Sequence, residues 1–192
     1  MILGLTLLVS IMGVVSAEEY VDPLTGNNVI EHGGGKAETD GFMVISYEVG
    51  SNTYLVYIPP SFAFTATKTT VVSKVNATDV VITPGSELVV NIESKHGWTL
   101  KPHNAAGQEI DSESEMPYSV STSPTRDGGD WDVISVPGSL YPKRILTVPA
   151  STGTEPATDE TYLKFELSST EATVNAVYKD TVTFSVGVIT SP

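Results

Sequence analysis

Apolar and polar residues alternate along most of this chain, with the period of a strand that has one buried face. In Gly85–Lys101, Leu88, Val90 and Ile92 alternate with Val89, Asn91 and Glu93. Pro84-Gly85 opens that stretch with a turn, Lys95-His96-Gly97 closes it with another, and Trp98 and Leu100 resume the alternation on what reads as the next strand. Phe42–Val49 sets Met43, Ile45, Tyr47 and Val49 on one face, and Gly50-Ser51-Asn52 predicts a hairpin loop. Thr53–Ile58 returns with Tyr54, Val56 and Ile58 on one face, and Pro59-Pro60 stops it, because proline supplies no ladder donor. Phe62 and Phe64 form a short apolar pair. Two short strands are predicted over Thr69–Val75 and Asp79–Thr83, separated by Asn76-Ala77-Thr78.

Pro102–Met116 breaks the pattern: it holds His103, Gly107, Glu109, Asp111, Glu113 and Glu115, with Ile110 its one large apolar residue before Met116, and reads as an exposed loop. Strands are then predicted at Pro117–Ser123, Trp131–Val136, Arg144–Val148, Thr161–Leu167 and Thr181–Ile189, with a Pro/Thr/Gly/Ser loop over Ala150–Asp159. In the last strand Val182, Phe184, Val186 and Val188 face one way. Ser168–Val177 leaves a helical turn open. About ten short strands with turn signals between them predict an all-β protein, a single Ig-like or jelly-roll-type β-sandwich over residues 42–192.

The N-terminal end is patterned differently. Met1–Val15 is almost entirely apolar, Val15-Ser16-Ala17 has small residues at the cleavage-critical positions, and Glu18-Glu19 follow. Residues 1–17 therefore read as a secretory signal peptide cut after Ala17, short of the about 20 apolar residues of a membrane span. No Lys or Arg precedes the apolar run, which keeps a retained, pilin-type helix as a second reading. Glu18–Gly41 is polar and irregular, with Val21, Leu24, Val29 and Ile30 as its apolar anchors and Gly33-Gly34-Gly35 as a hinge. Its bland reading is a floppy leader. Its sharper reading is an extended arm, able to span roughly 75 Å at about 3.3 Å per residue. Such an arm could lay a strand into a neighbouring subunit by β-augmentation, with those four apolar residues at the subunit interface.

Length and charge narrow the function classes. At 192 residues the chain suits one domain with a full core. The absence of cysteine excludes disulfides and thiolate chemistry. A net charge of −13 argues against nucleic acid as a partner. His32, His96 and His103 have no zinc spacing. Asp127, Asp130 and Asp132, with two glycines among them, are weak calcium candidates, although a plain acidic turn is the simpler reading. No Gly-x-Ser-x-Gly, phosphate loop or His-Glu-x-x-His occurs, so neither an enzyme nor a cofactor is expected. Trp98, Trp131, Tyr118 and Tyr141 could stack on sugar, which keeps a wall- or carbohydrate-binding module as the alternative, although alternating aromatics are more simply core. Asn76-Ala77-Thr78 is the only glycosylation sequon, with Asn76 as its acceptor.

Three stretches carry a resemblance: Tyr54-Leu-Val-Tyr-Ile-Pro-Pro-Ser-Phe62, Glu87-Leu-Val-Val-Asn-Ile-Glu-Ser with Trp98-Thr-Leu100, and Tyr178-Lys-Asp-Thr-Val-Thr-Phe-Ser-Val186. Their order resembles exported prokaryotic surface β-sandwiches. It is similar to TasA-like biofilm-fibre and archaeal bundling-pilus subunits and, more weakly, to WxL-type wall-associated domains. Only Trp98-Thr99-Leu100 fits a Trp-x-Leu motif, with Trp131-Asp132-Val133 at best a relic. The resemblance to the fibre families implies a homopolymer in which each subunit donates an N-terminal strand to the next. Glu18–Gly41 is the matching segment. The expectation is a secreted structural subunit of an extracellular filament, with itself as main partner and wall or matrix polysaccharide as a further one.

Overall fold

Among the described residues every regular element is a strand, as the two-residue period requires. The structure, a computed structural model, describes residues 24–32, 43–49, 52–111, 114–153, 155–168 and 176–190; for 24–32 and 43–49 it describes the backbone and its pairing. The expected signal segment 1–17 and interface residue Val21 lie outside the described residues. In chain order the strands are β1 (Leu24–His32), β2 (Met43–Val49), β3 (Asn52–Ile58), β4 (Phe62–Phe64), β5 (Thr70–Val81), β6 (Ser86–Ser94), β7 (Thr99–His103), β8 (Met116–Ser123), β9 (Asp132–Val133), β10 (Lys143–Pro149), β11 (Ala157–Leu167) and β12 (Val177–Thr190).

They form two layers. One sheet runs β10-β6-β12-β1-β4, and the other runs β9-β8-β11-β5-β3-β2. β7 joins them, pairing β12 in the first and β8 in the second. All pairings are antiparallel except β1 with β4. The expected all-β sandwich is therefore the fold. Its core is the set of inward rows the alternation marks: Tyr54, Val56 and Ile58 on β3, Leu88, Val90 and Ile92 on β6, Leu163, Phe165 and Leu167 on β11, and Val182, Phe184, Val186 and Val188 on β12. Each large apolar side chain so buried contributes about 1.5–3 kcal/mol. Met43, Ile45 and Tyr47 stand in register with Ile58, Val56 and Tyr54, as the shared row predicts. Aromatic rings cross between the layers: Phe62 meets Phe165 at 4.9 Å and Phe64 meets Tyr118 at 6.4 Å between centroids. Such tilted contacts add about 0.5–1.5 kcal/mol each beyond burial.

The chain departs from its pattern in four places. First, Thr69–Val75 and Asp79–Thr83 are one strand, β5, not two. Asp79 takes a left-handed φ of 53°, and the register of both neighbours shifts beside it. A bulge thus bends the strand where the sequence suggested an end. Asn76 consequently sits mid-strand, opposite Tyr57 and Glu160, with its side-chain carbonyl buried and without a hydrogen-bond partner. Second, β6 and β7 are not joined by a hairpin: both pair with the same edge of β12 in the same direction, β6 along Val182–Thr190 and β7 along Val177–Lys179. Third, of Trp131–Val136 only Asp132–Val133 pairs, while β11 and β12 start earlier than the alternation suggests. Fourth, Pro102–Ile110 is a small hairpin, with the Ile110 N–H donating to the Pro102 carbonyl at 2.8 Å and a His103–Glu109 bridge.

Candidate functional site

Two features meet on β12: the seat of the N-terminal strand and a buried acid beside it. β1 lies between β12 and β4, antiparallel to the first and parallel to the second. Its pairing runs from Leu24 opposite Val186 to His32 opposite Tyr178. Along that stretch β12 alternates, with Tyr178, Asp180, Val182, Phe184 and Val186 buried and the residues between them partly exposed. The register therefore sets His32, Ile30, Asn28, Gly26 and Leu24 opposite the buried row. Of the expected interface residues, Leu24 and Ile30 share that row, and Val29 stands opposite Thr181 in the other. Ile30, Glu31 and His32 also pair with Phe62, Ala63 and Phe64 of β4. Without β1, one edge of β12 and one of β4 would each lack a ladder partner among the described residues, the arrangement that invites another chain.

At the His32 end of this seat the opposite edge of β12 has a gap, where β6 has ended and β7 has not begun. The chain between them, Lys95–Trp98, must find other partners for its N–H groups. The Lys95 N–H donates to the Thr181 carbonyl at 2.9 Å. Asp180 and Ser94 supply the rest. Asp180, 1% exposed, accepts from Ser94 Oγ at 2.6 Å, Tyr118 Oη at 2.6 Å, the Thr181 N–H at 2.8 Å and the His96 N–H at 3.2 Å. Ser94 Oγ in turn accepts from the Trp98 N–H at 2.6 Å and the His96 N–H at 3.2 Å. Four donors offset the cost of burying this carboxylate. Burial, followed by the charge of Asp180, raises the Tyr118 pKa well above the ordinary tyrosine value, so the hydroxyl stays a donor.

The turn this network holds is strained. Trp98 has φ 68° and is 1% exposed, with its indole N–H lacking a hydrogen-bond partner. A left-handed bulky residue persists only where its surroundings over-determine it. Gly97, at φ 65°, approaches so closely that a Cβ there would meet Gly138 Cα at 2.9 Å, and the Gly138 N–H donates to the Gly97 carbonyl at 3.0 Å. Trp98 is thus a core plug, packed edge-on against Tyr118. Neither it nor Leu100 is presented for wall binding.

Other candidates are dispersed. Among the described residues no three His, Asp or Glu side chains gather as a metal would require; Asp132 is drawn into β9, opposite Thr122, and Asp127 and Asp130 precede it. Trp131 is half-buried under Lys164, whose Nζ lies 5.2 Å from the ring centroid. Val133, Val136, Leu140 and Tyr141 form an exposed apolar stretch, Tyr141 the most open at 79%. Among the described residues no helix is long and apolar enough to cross a membrane. The sequence by itself offers Tyr118 only as a sugar-stacking candidate and gives Asp180 and Ser94 no role. The two-residue period, extended back from Val182, sets Asp180 and Tyr178 on the inward row, and a carboxylate there is the signal that marks the cluster. No protein family, curated protein or solved structure matches this chain.

Proposed function

We propose that this protein is a secreted structural subunit of an extracellular filament, a pilus or matrix fibre, that polymerises by exchange of its N-terminal strand into the neighbouring copy. The observation that carries the reading is the pairing of Leu24–His32 between β12 and β4. A strand near the chain start occupies a seat flanked on both sides, and the same segment of a second copy fits the seat with the same bonds. Exchange then costs no ladder hydrogen bonds, and every subunit passes its own strand on. The composition of the row set opposite the core supports release: Gly26 and Asn28 stand between Leu24 and Ile30, and His32 follows, so only two of its five register positions are large and apolar. The residues that follow include Gly33-Gly34-Gly35, a composition suited to a hinge.

A cysteine-free chain allows a direct test. Thr25 stands opposite Ser185, so the double variant Thr25→Cys/Ser185→Cys reports which chain supplies the strand. Filaments oxidised after assembly should give a ladder of disulfide-linked oligomers on denaturing gels, and dilute monomer should give an internal cross-link. Filaments that yield only internal cross-links, or native material without filaments under negative stain, would sink the reading.

The second reading, a module that binds wall or matrix polysaccharide, is favoured by the exposure of Tyr141 beside Leu140. Quenching of aromatic fluorescence by glycans, lost in Tyr141→Ala, would select it.

A further inference from the structure

His96 stands between two carboxylates from different elements. Its Nδ1 lies 3.0 Å from Asp180 Oδ1 on β12, and its Nε2 lies 3.3 Å from Glu109 Oε2 on the hairpin after β7. Both contacts have ion-pair reach but lie off the line of a hydrogen bond. The histidine side chain is 11% exposed and that of Glu109 45%. A neutral imidazole carries one N–H and one lone pair, so in either tautomer a lone pair would face a carboxylate. An imidazolium makes both contacts attractive.

We infer that His96 is a proton-operated clasp: charged, it ties the Glu109 hairpin to the buried Asp180; neutral, it lets the hairpin go. The hairpin is held together by its own hydrogen bonds. The Asn104 N–H donates to the Gln108 carbonyl at 2.9 Å, Gly107 donates to the Asn104 carbonyl at 2.9 Å, and Asn104 Oδ1 accepts from the Ala106 and Gln108 N–H groups. Residues 104–109 are exposed. The other groups packed around the histidine do not replace it. Tyr118, from β8, is committed to the second oxygen of Asp180. His103, on β7, is directed at the Lys101 carbonyl, 2.9 Å away, and Lys101 pairs with Glu115.

The sign follows from the charges. Histidine is the side chain whose ordinary titration falls between about pH 5 and 8. The clasp tightens as the imidazole gains a proton and loosens as it loses one. Because Asp180 stands opposite Ile30, the same proton acts at the His32 end of the seat of β1. That consequence rests on the filament reading; the hairpin's response does not.

The test is amide hydrogen exchange of the full chain by NMR, corrected for intrinsic rates, at about pH 5.5 and 7.5. In the parent protein, exchange at Gln108 and Ile110 should be about two- to fivefold faster, relative to intrinsic rates, at the higher pH, the size expected of one partly exposed ion pair. Glu109→Gln, at an exposed position, should abolish that pH dependence, and His96→Asn should leave the hairpin loose at both values. Parent protection that is the same at both values, or Glu109→Gln retaining the parent's pH dependence, would overturn the clasp. Should His96→Asn fail to fold, the parent and Glu109→Gln decide between them. A hairpin that responds in a protein that makes no filaments keeps the clasp and removes the filament reading.

Discussion

β6 and β1 flank β12 on opposite edges, with similar ladders and different side chains. β6 sets Leu88, Val90 and Ile92, all fully buried, opposite Val188, Val186 and Phe184. β1 sets Leu24, Gly26, Asn28, Ile30 and His32 opposite Val186, Phe184, Val182, Asp180 and Tyr178. Each strand pairs nine residues, so backbone bonding does not separate them. Net, a hydrogen bond is worth about 0.5–1.5 kcal/mol, because water competes for the same groups. A buried aliphatic is worth about 1.5–3 kcal/mol and has no such competitor. Side-chain anchors therefore decide which strand stays. β6 has three consecutive, fully buried apolar residues between Ser86 and Ser94 and is part of the permanent core, whereas the two large apolar residues of β1, in five register positions, are separated by Gly26 and Asn28.

The strongest test of that contrast is Ile92→Ala. It should cost about 2–5 kcal/mol of global stability, read from urea unfolding, because a fully buried side chain leaves a cavity between the sheets. A loss under about 1 kcal/mol would mean that β6 is no firmer than β1.

Next in size is Tyr118→Phe. Removing a hydroxyl bound at 2.6 Å to the buried Asp180 should cost about 1.5–3 kcal/mol, the range for a hydrogen bond to a charged group. Its pH signature is separate. The folded pKa of Tyr118 is raised, so the stability it lends is complete below the ordinary tyrosine range of about 10 and falls as pH climbs through and past it. The phenylalanine variant should lose that tyrosine's share of the alkaline decline. An unchanged alkaline limb would mean that the shared end of the seat is wetter than its burial indicates.

Ile30→Ala bears on the other side of the comparison. It should change global stability by less than about 1 kcal/mol while loosening residues 24–32, seen as faster local hydrogen exchange without faster exchange in β6. Global destabilisation equal to that of Ile92→Ala would make β1 a core strand and remove the basis for exchange.

The smallest effect is far from both edges. Lys74 pairs with Glu160 at 2.9 Å on the outer face of β5 and β11. The hydrogen bond from Lys74, then that from Tyr162, lowers the Glu160 pKa. The pair's contribution is thus present above the ordinary carboxylate range and lost as pH falls through the lowered value. Lys74→Met should differ slightly from the parent near neutral pH and not at all in acid, by thermal unfolding. It marks the background against which the two edges are compared.

Much of the candidate site was legible, but unevenly. Leu24, Val29 and Ile30 could be singled out because apolar residues are rare in that stretch, yet apolarity alone could not show that Val29 falls out of the row the other two share. That is a matter of register, set by the partner strand. The Asp180 cluster was hidden for a similar reason. Ser94, His96, Tyr118 and Asp180 are distant in sequence, and each in isolation looks like an ordinary polar residue near a turn. Asn76 misled in the other direction, since a sequon beside an aspartate looks like a loop and proves to be a bulged strand.

By itself the sequence determined the fold class and the core rows, because a two-residue period with β-branched and aromatic side chains can bury one face only as a sheet, and two such faces must cover each other. It also determined that no cysteine chemistry occurs. Only the tertiary structure decided that β6 and β7 share one edge of β12, that the gap between them is closed by a buried carboxylate, and that Leu24–His32 takes the opposite edge. Those outcomes depend on which strands meet, and strand pairing is set by contacts between residues far apart in the chain, where local pattern carries no information.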